Sequence, residues 1–237
     1  MFAFTFGAIG SGKSLSQAQK VQQSLKRSIA IEKKWHLPIR KVGCNFHIRK
    51  DIADKYADRF FVWHDPLDMI FEDYPKNKVI RRDFDCFWDE LAVELASDKW
   101  KDTHPEIRRF FAQHRKRGIE IYGNTQDYMM LDINARRMAT DVFMTQKIIG
   151  SRDPSSTLPP LKHIWGLIAV WDIDKQSIEQ DSKDFKRENW LPQFLWLDKD
   201  LTSFYDTSED VSKASEYDLL HRVRKCKICG FEKTIHE

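Results

Sequence analysis

The chain has few cysteines, no repeat, no long apolar run and almost no charge surplus, and each shortage narrows what it can be. Four cysteines in 237 residues, Cys44, Cys86, Cys226 and Cys229, are too few for a disulfide-stapled scaffold. The first motif begins at Gly7, which leaves no room for a cleavable leader, so a reducing, intracellular compartment is the expectation. The most apolar run, Ile164 to Trp171, is far short of the ~20 residues a membrane-spanning helix needs and reads as a buried strand. A net charge of +3 is too small to argue for nucleic-acid binding, so any basic surface must be local. With 41% hydrophobic and 32% charged residues, the composition is that of a soluble globular chain able to bury a sizeable core.

What is present starts at the N-terminus. Gly7-Ala8-Ile9-Gly10-Ser11-Gly12-Lys13-Ser14 matches the phosphate-binding pattern GxxxxGK[ST] at every fixed position. The aromatic run Phe2 to Phe6 before it suits a buried strand, and Leu15 to Gln19 after it suits a first helical turn. In that context the glycines let successive amide N–H groups wrap an anion, and the helix N-terminus adds partial positive charge. Gly7, Gly10, Ser11, Gly12, Lys13, Ser14 and Leu15 are the candidate residues for ATP, with Lys13 on the β- and γ-phosphates and the Ser14 hydroxyl on Mg²⁺.

Hydrolysis needs an acid at a strand end and a base for water. Cys86-Phe87-Trp88 leads into Asp89-Glu90, which assigns Asp89 to Mg²⁺ and Glu90 to the attacking water. Arg81, Arg82, Asp83 and Asp85 make the upstream run unusually charged, so Asp83 and Asp85 stand as fallback magnesium ligands. A helix is expected through Leu91, Ala92, Leu95 and Ala96, and another from His104-Pro105 to near Gly118, where proline suits the first helical position. The strand Ile119 to Asn124 then delivers Thr125 and Gln126 at its carboxyl end, where ligands bind in open parallel sheets. Gln126 is the candidate sensor of the γ-phosphate. This order of motifs describes a P-loop ATPase with an extra strand between the loop and the acid. Further strands are expected at Arg40–Ile48 and Phe60–Trp63. Strands alternating with helices predict an α/β fold, a mostly parallel central sheet flanked by helices, plus a small C-terminal tail module.

Asp89-Glu90, Arg108, Gln113 to Ile121, Thr125-Gln126 and Leu131 to Arg136, taken with the loop, resemble the zonular occludens toxin (Zot) family, which includes the filamentous-phage assembly ATPases. The resemblance spans residues 1–173, and residues 174–237 form a polar linker and tail. It implies a relation to the FtsK–HerA group of hexameric motors, hence a homo-oligomer. It also implies single-stranded viral DNA as cargo, virion or membrane-channel proteins as partners, and a place in the host cytoplasm, peripheral to the inner membrane. Zot-type proteins commonly carry a transmembrane segment after the ATPase domain; this chain shows none, which favours packaging or assembly over anchored export.

Arg115 matches the family's His-Arg and is the candidate arginine finger toward a neighbouring subunit, with Arg136 and Arg137 as rivals. Arg108, Arg109, Lys116 and Arg117 could grip nucleic-acid phosphates, while cations at a helix C-terminus are also ordinary capping. Most aromatics read as core; Phe110 and Phe111, beside basic residues, are the pair to test for strand contact. At the C-terminus, Cys226 and Cys229 in a CxxCG knuckle, with His221 and His236, form a candidate Zn²⁺ set. Two other readings stay open: a nucleotide or small-molecule kinase, and a nucleotide-gated assembly scaffold with little hydrolysis.

Overall fold

The computed structural model describes residues 1–76, 78–96, 102–149, 166–174, 187, 191–197, 204, 223–225 and 232–234. The chain opens with strand β1 (Phe2–Phe6), the glycine-rich loop and the long helix α1 (Lys13–Trp35). Next come β2 (Lys41–Cys44), α2 (Lys50–Lys55), β3 (Phe60–Val62) and α3 (Pro66–Ile70). A small hairpin, β4 (Phe71–Glu72) and β5 (Val79–Ile80), precedes β6 (Phe84–Trp88). Helix α4 (Pro105–Gln113) tightens into a 3-10 turn, His114–Arg117, before β7 (Glu120–Thr125), α5 (Ile133–Met138) and β8 (Asp141–Ile149). Then follow β9 (Gly166–Asp172), β10 (Gln193–Leu197) and a separate antiparallel pair, β11 (Val223–Lys225) with β12 (Glu232–Thr234).

Among the described residues eight strands form one sheet, in the order β10-β9-β8-β1-β7-β6-β2-β3. Every pairing from β8 to β3 is parallel, while β9 pairs antiparallel with both β8 and β10 and so is the one strand of this sheet that runs against the others. This is the mostly parallel, helix-flanked P-loop NTPase architecture, and β7 lies between the loop strand β1 and the acid strand β6, as the motif order implies. Part of the segment expected as linker and tail joins this sheet: β10 is its edge strand, and Phe204 is fully buried beneath it. The sheet therefore crosses the expected boundary at residue 173.

Period-two alternation sorts the strand residues between two cores. Phe2, Phe4, Phe6, Phe84, Cys86 and Trp88 face α3, α4 and α5, while Phe87 faces α1 and α2. Phe110 and Phe111 belong to the first core, fully buried against Phe84, Phe2 and Trp88, so their surroundings are packing partners. The helix expected after Glu90 is instead a single 3-10 turn, Leu91–Val93, because Ala96 leaves to bridge Leu131. Since the central strands are parallel, all their carboxyl ends meet at one edge, and that edge carries the loop.

Candidate active site

The loop folds against downstream strands as much as against its own helix. Gly12 is left-handed, with φ 93°, and a side chain there would collide with Ile168 of β9. At Gly7 a Cβ would meet the Thr145 carbonyl of β8 at 2.7 Å. Thr145 also hydrogen-bonds Ser11, Oγ1 to Oγ, at 2.8 Å. The Lys13 ammonium donates to the carbonyls of Gly7 (2.8 Å) and Ala8 (3.1 Å). Burial lowers its pKa, and the nearby Glu90 and Asp89 pull it part of the way back. Helix α1 has no side-chain cap and no acid in its first turn, so the helix end is not neutralised from within, and its positive end faces the loop. Ser14 and Leu15 are its second and third residues. The Leu15 side chain packs on the α1-side core, which leaves its backbone N–H as its means of contributing.

Strand β6 ends at Trp88 and the chain turns sharply. Asp89 is buried, and Glu90 adopts a left-handed conformation, φ 52° and ψ 52°, costing roughly 1–2 kcal/mol for a residue with a Cβ. Side chains from the strands on either side hold that turn. From the end of β2, Asn45 accepts from the Asp89 N–H (2.7 Å) and donates to the Asp89 carbonyl (2.9 Å). From β7, the Asn124 oxygen accepts from the Glu90 N–H at 2.9 Å. The Asn124 amide nitrogen donates to Gln17 of α1 at 2.7 Å, and Gln17 donates to the Tyr122 carbonyl at 2.9 Å. Leu91 then packs over Gly123, where a side chain would have no room.

Gln126 joins the two halves. Its carbonyl accepts from the Gly7 N–H at 3.3 Å, and its side chain hydrogen-bonds the Glu90 carboxylate. Burial, and then Asp89, push the Glu90 pKa above the ordinary glutamate value, opposed by Lys13 and Gln126. Lys13, Asp89, Glu90 and Gln126 thus share one neighbourhood at the carboxyl ends of β1, β6 and β7.

Other expected residues stand elsewhere. Asp83 and Asp85 are at the opposite end of β6, where Asp85 is engaged by Arg40 at 2.7 Å. Arg115 is exposed in the turn before β7, about 20 Å from the strand's carboxyl end at ~3.3 Å per residue; within one chain it does not meet Lys13. Arg136 lies over the Tyr128 ring and Arg137 is exposed on α5. The zinc candidates His221, Cys226, Cys229 and His236 lie outside the described residues. Among the described residues no helix is long and apolar enough to cross a membrane.

Four residues of the site went unassigned in the sequence: Asn45, Asn124, Gln17 and Thr145. Gln17 alone carried a signal, since it stands four residues after Lys13 and so on the same helical face.

No protein-family model and no curated protein matches the chain. Among solved structures it is similar to the N-terminal domain of zonular occludens toxin from Neisseria meningitidis, at 19% identity and a TM-score of 0.48, covering 86% of this chain and 98% of that one. It is also similar to the genome packaging NTPase B204 from Sulfolobus turreted icosahedral virus 2 in complex with AMP, at 14% identity and a TM-score of 0.44, covering 79% and 96%. A third is a KaiC-like protein from Pyrococcus horikoshii OT3, at 11% identity and a TM-score of 0.40, covering 83% and 88%.

Proposed function

We propose that this chain is a Mg²⁺-dependent ATPase, working as an oligomeric motor in the assembly, packaging or export of single-stranded viral DNA. The observation that carries the ATPase reading is the convergence of Lys13, Asp89, Glu90 and Gln126 on one loop at the carboxyl edge of the sheet. Backbone N–H groups of the loop and the start of α1 hold the phosphates, and Lys13 leaves its two carbonyl acceptors to meet the β- and γ-oxygens. The residues fit a hydrated magnesium ion. Asp89 and the Ser14 hydroxyl are the few protein oxygens such an ion takes beside phosphates and water. Among the described residues no group of three or more His, Cys, Asp or Glu offers a protein cage. When bound, the ion neutralises charge on the phosphates.

Glu90, within reach of Gln126, accepts the proton of the attacking water, and Gln126 orients that water against the γ-phosphate. Arg115, remote from its own loop, acts on a neighbouring subunit's site, which is why the reading requires an oligomer. The cargo comes from the Zot resemblance of the motifs.

The test is the ATPase rate with and without single-stranded DNA, alongside oligomeric mass with and without ATP. The reading expects a DNA-stimulated rate and an ATP-dependent assembly; a monomer whose turnover ignores DNA overturns the motor. Within that experiment Glu90→Gln should cut turnover by about 10²-fold or more while ATP still binds. Undiminished turnover would overturn the assignment of the base.

A further inference from the structure

Two side-chain amides, Gln17 and Asn124, link the phosphate-binding helix to the turn that carries Glu90, and the ends of the link fix its direction. The Glu90 backbone N–H can only donate, so the Asn124 side chain must present its oxygen there. Its NH₂ then faces the Gln17 oxygen, and the Gln17 NH₂ faces the Tyr122 carbonyl, which can only accept. Flipping either amide breaks two bonds at once, so the orientation is imposed by the network. Asn124 is fully buried and Gln17 nearly so, which makes an unmade bond here costly. Gln17 stands one helical turn beyond Lys13 on the same face of α1. The route from the phosphate-binding ammonium to the backbone of the water-activating residue is one turn of helix and two side chains.

We infer that Asn124 and Gln17 are positioning residues, which set the Glu90 carboxylate relative to the Lys13-held phosphate through the chain Gln17–Asn124–Glu90 N–H. The inference rests on the hydrolytic reading above and adds to it how the base is placed. The left-handed Glu90 opens a single 3-10 turn, its carbonyl accepts from the Val93 N–H, and its own N–H is shared between Asn124 at 2.9 Å and the Asp89 carboxylate at 3.2 Å. Loosening the Asn124 bond therefore lets the carboxylate drift, and a misplacement of about 1 Å costs on the order of 10²-fold in rate. Triphosphate binding is made by the loop and α1, so it should be spared.

The experiment uses the full chain, with ATP and Mg²⁺ for turnover and a fluorescent ATP analogue for binding, at a temperature where every variant is folded by its melting curve. Asn124→Asp keeps the shape but sets an oxygen against the Gln17 oxygen. Its kcat should fall about 10- to 100-fold while analogue affinity stays within about threefold. Gln17→Met, which removes the second link and spares Asn124, should lower kcat in the same direction by less. Because the links are in series, the double variant should lose no more than Asn124→Asp alone.

Wild-type kcat in either folded variant overturns the relay, as do additive losses or a loss of affinity equal to the loss of rate. Should Asn124→Asp not fold, the kcat and affinity of Gln17→Met decide alone. Glu90→Gln separates the two levels. If it turns over like wild type, the assignment of Glu90 as the base fails and the relay with it. If it is inactive while Asn124→Asp runs at the wild-type rate, only the relay fails.

Discussion

Asp85 and Asp89 stand four residues apart at the two ends of β6, and their surroundings differ in kind. At the basal end, Arg40 closes on Asp85 with Nε and Nη2 at 2.7 and 2.6 Å, and spends its remaining N–H groups on the carbonyls of Gly118 and Phe84. Burial pushes the Asp85 pKa up and Arg40 pulls it back, so this is a neutralised structural pair. At the other end, neutral amides grip the backbone of Asp89 and Glu90, and the carboxylates stay beside Lys13. On the proposed reading, the charge kept for stability is paired with an arginine, and the charges kept for chemistry are held through their backbone.

The sharpest way to break that contrast is to neutralise each aspartate. Asp89→Asn should lower Mg²⁺-dependent ATP turnover by at least about 10²-fold, with the urea midpoint near wild type. Asp85→Asn should do the reverse. It leaves the Arg40 guanidinium without its counterion, costs about 3 kcal/mol in urea unfolding, and keeps the turnover of the folded protein. Equal losses of turnover in the two variants would end the comparison.

A smaller effect tests the loop's support. Thr145→Val removes the hydroxyl partner of Ser11 and should cost about 1 kcal/mol. That is about fivefold in ATP affinity if the bond matters only in the bound loop. Titration of ATP binding checks it, and unchanged affinity would confine Thr145 to folding.

The smallest effect concerns protons. The Glu90 pKa is raised, so the acid limb of kcat should lie above the ordinary glutamate value of ~4.3, the rate falling as the carboxylate protonates. The same shift has a sign in stability. With the folded pKa above the unfolded one, the folded state holds the proton more tightly, and stability declines as pH rises through the interval between them. Glu90→Gln should therefore melt higher than wild type at neutral pH, with the difference vanishing below the ordinary glutamate pKa. A difference that grows on acidification would contradict the raised value.

Much of this site was legible in the sequence where a residue type is itself the requirement. The octet shows its geometry because a left-handed Gly12 packed on Ile168 admits no other residue. Asp89-Glu90 and Gln126 showed because acid and amide follow apolar strands, and β7 does separate β1 from β6. Asp85 could not be told from Asp89 by type, since only strand direction puts one at the base and the other at the loop.

The amides were invisible for another reason. Asn45 meets Asp89 across 44 residues, and Gln17 meets Asn124 across 107, so no local pattern announces them. Residues 91–96 have helical spacing, yet Glu90 enters left-handed and Ala96 pairs with Leu131, so tertiary contact overrides propensity. Strand β10 went unread although Phe194 to Leu197 is apolar, because it follows the polar run 175–189; as an edge strand it leaves Phe194 and Trp196 exposed and buries Leu195.

The central place of β1 has a consequence for how the chain is made. Its neighbours are β7 and β8, with Phe2 opposite Ile121 and Phe6 opposite Met144. At 5–20 residues per second, a ribosome needs roughly 6–24 s to supply the first of them. For that interval the wholly apolar face Phe2, Phe4 and Phe6 has no sheet to enter, and the loop has neither Thr145 nor Ile168 to close against. Strand β1 is made well before its partners and waits for them, so a nascent chain stalled before β9 should neither bind ATP nor resist aggregation.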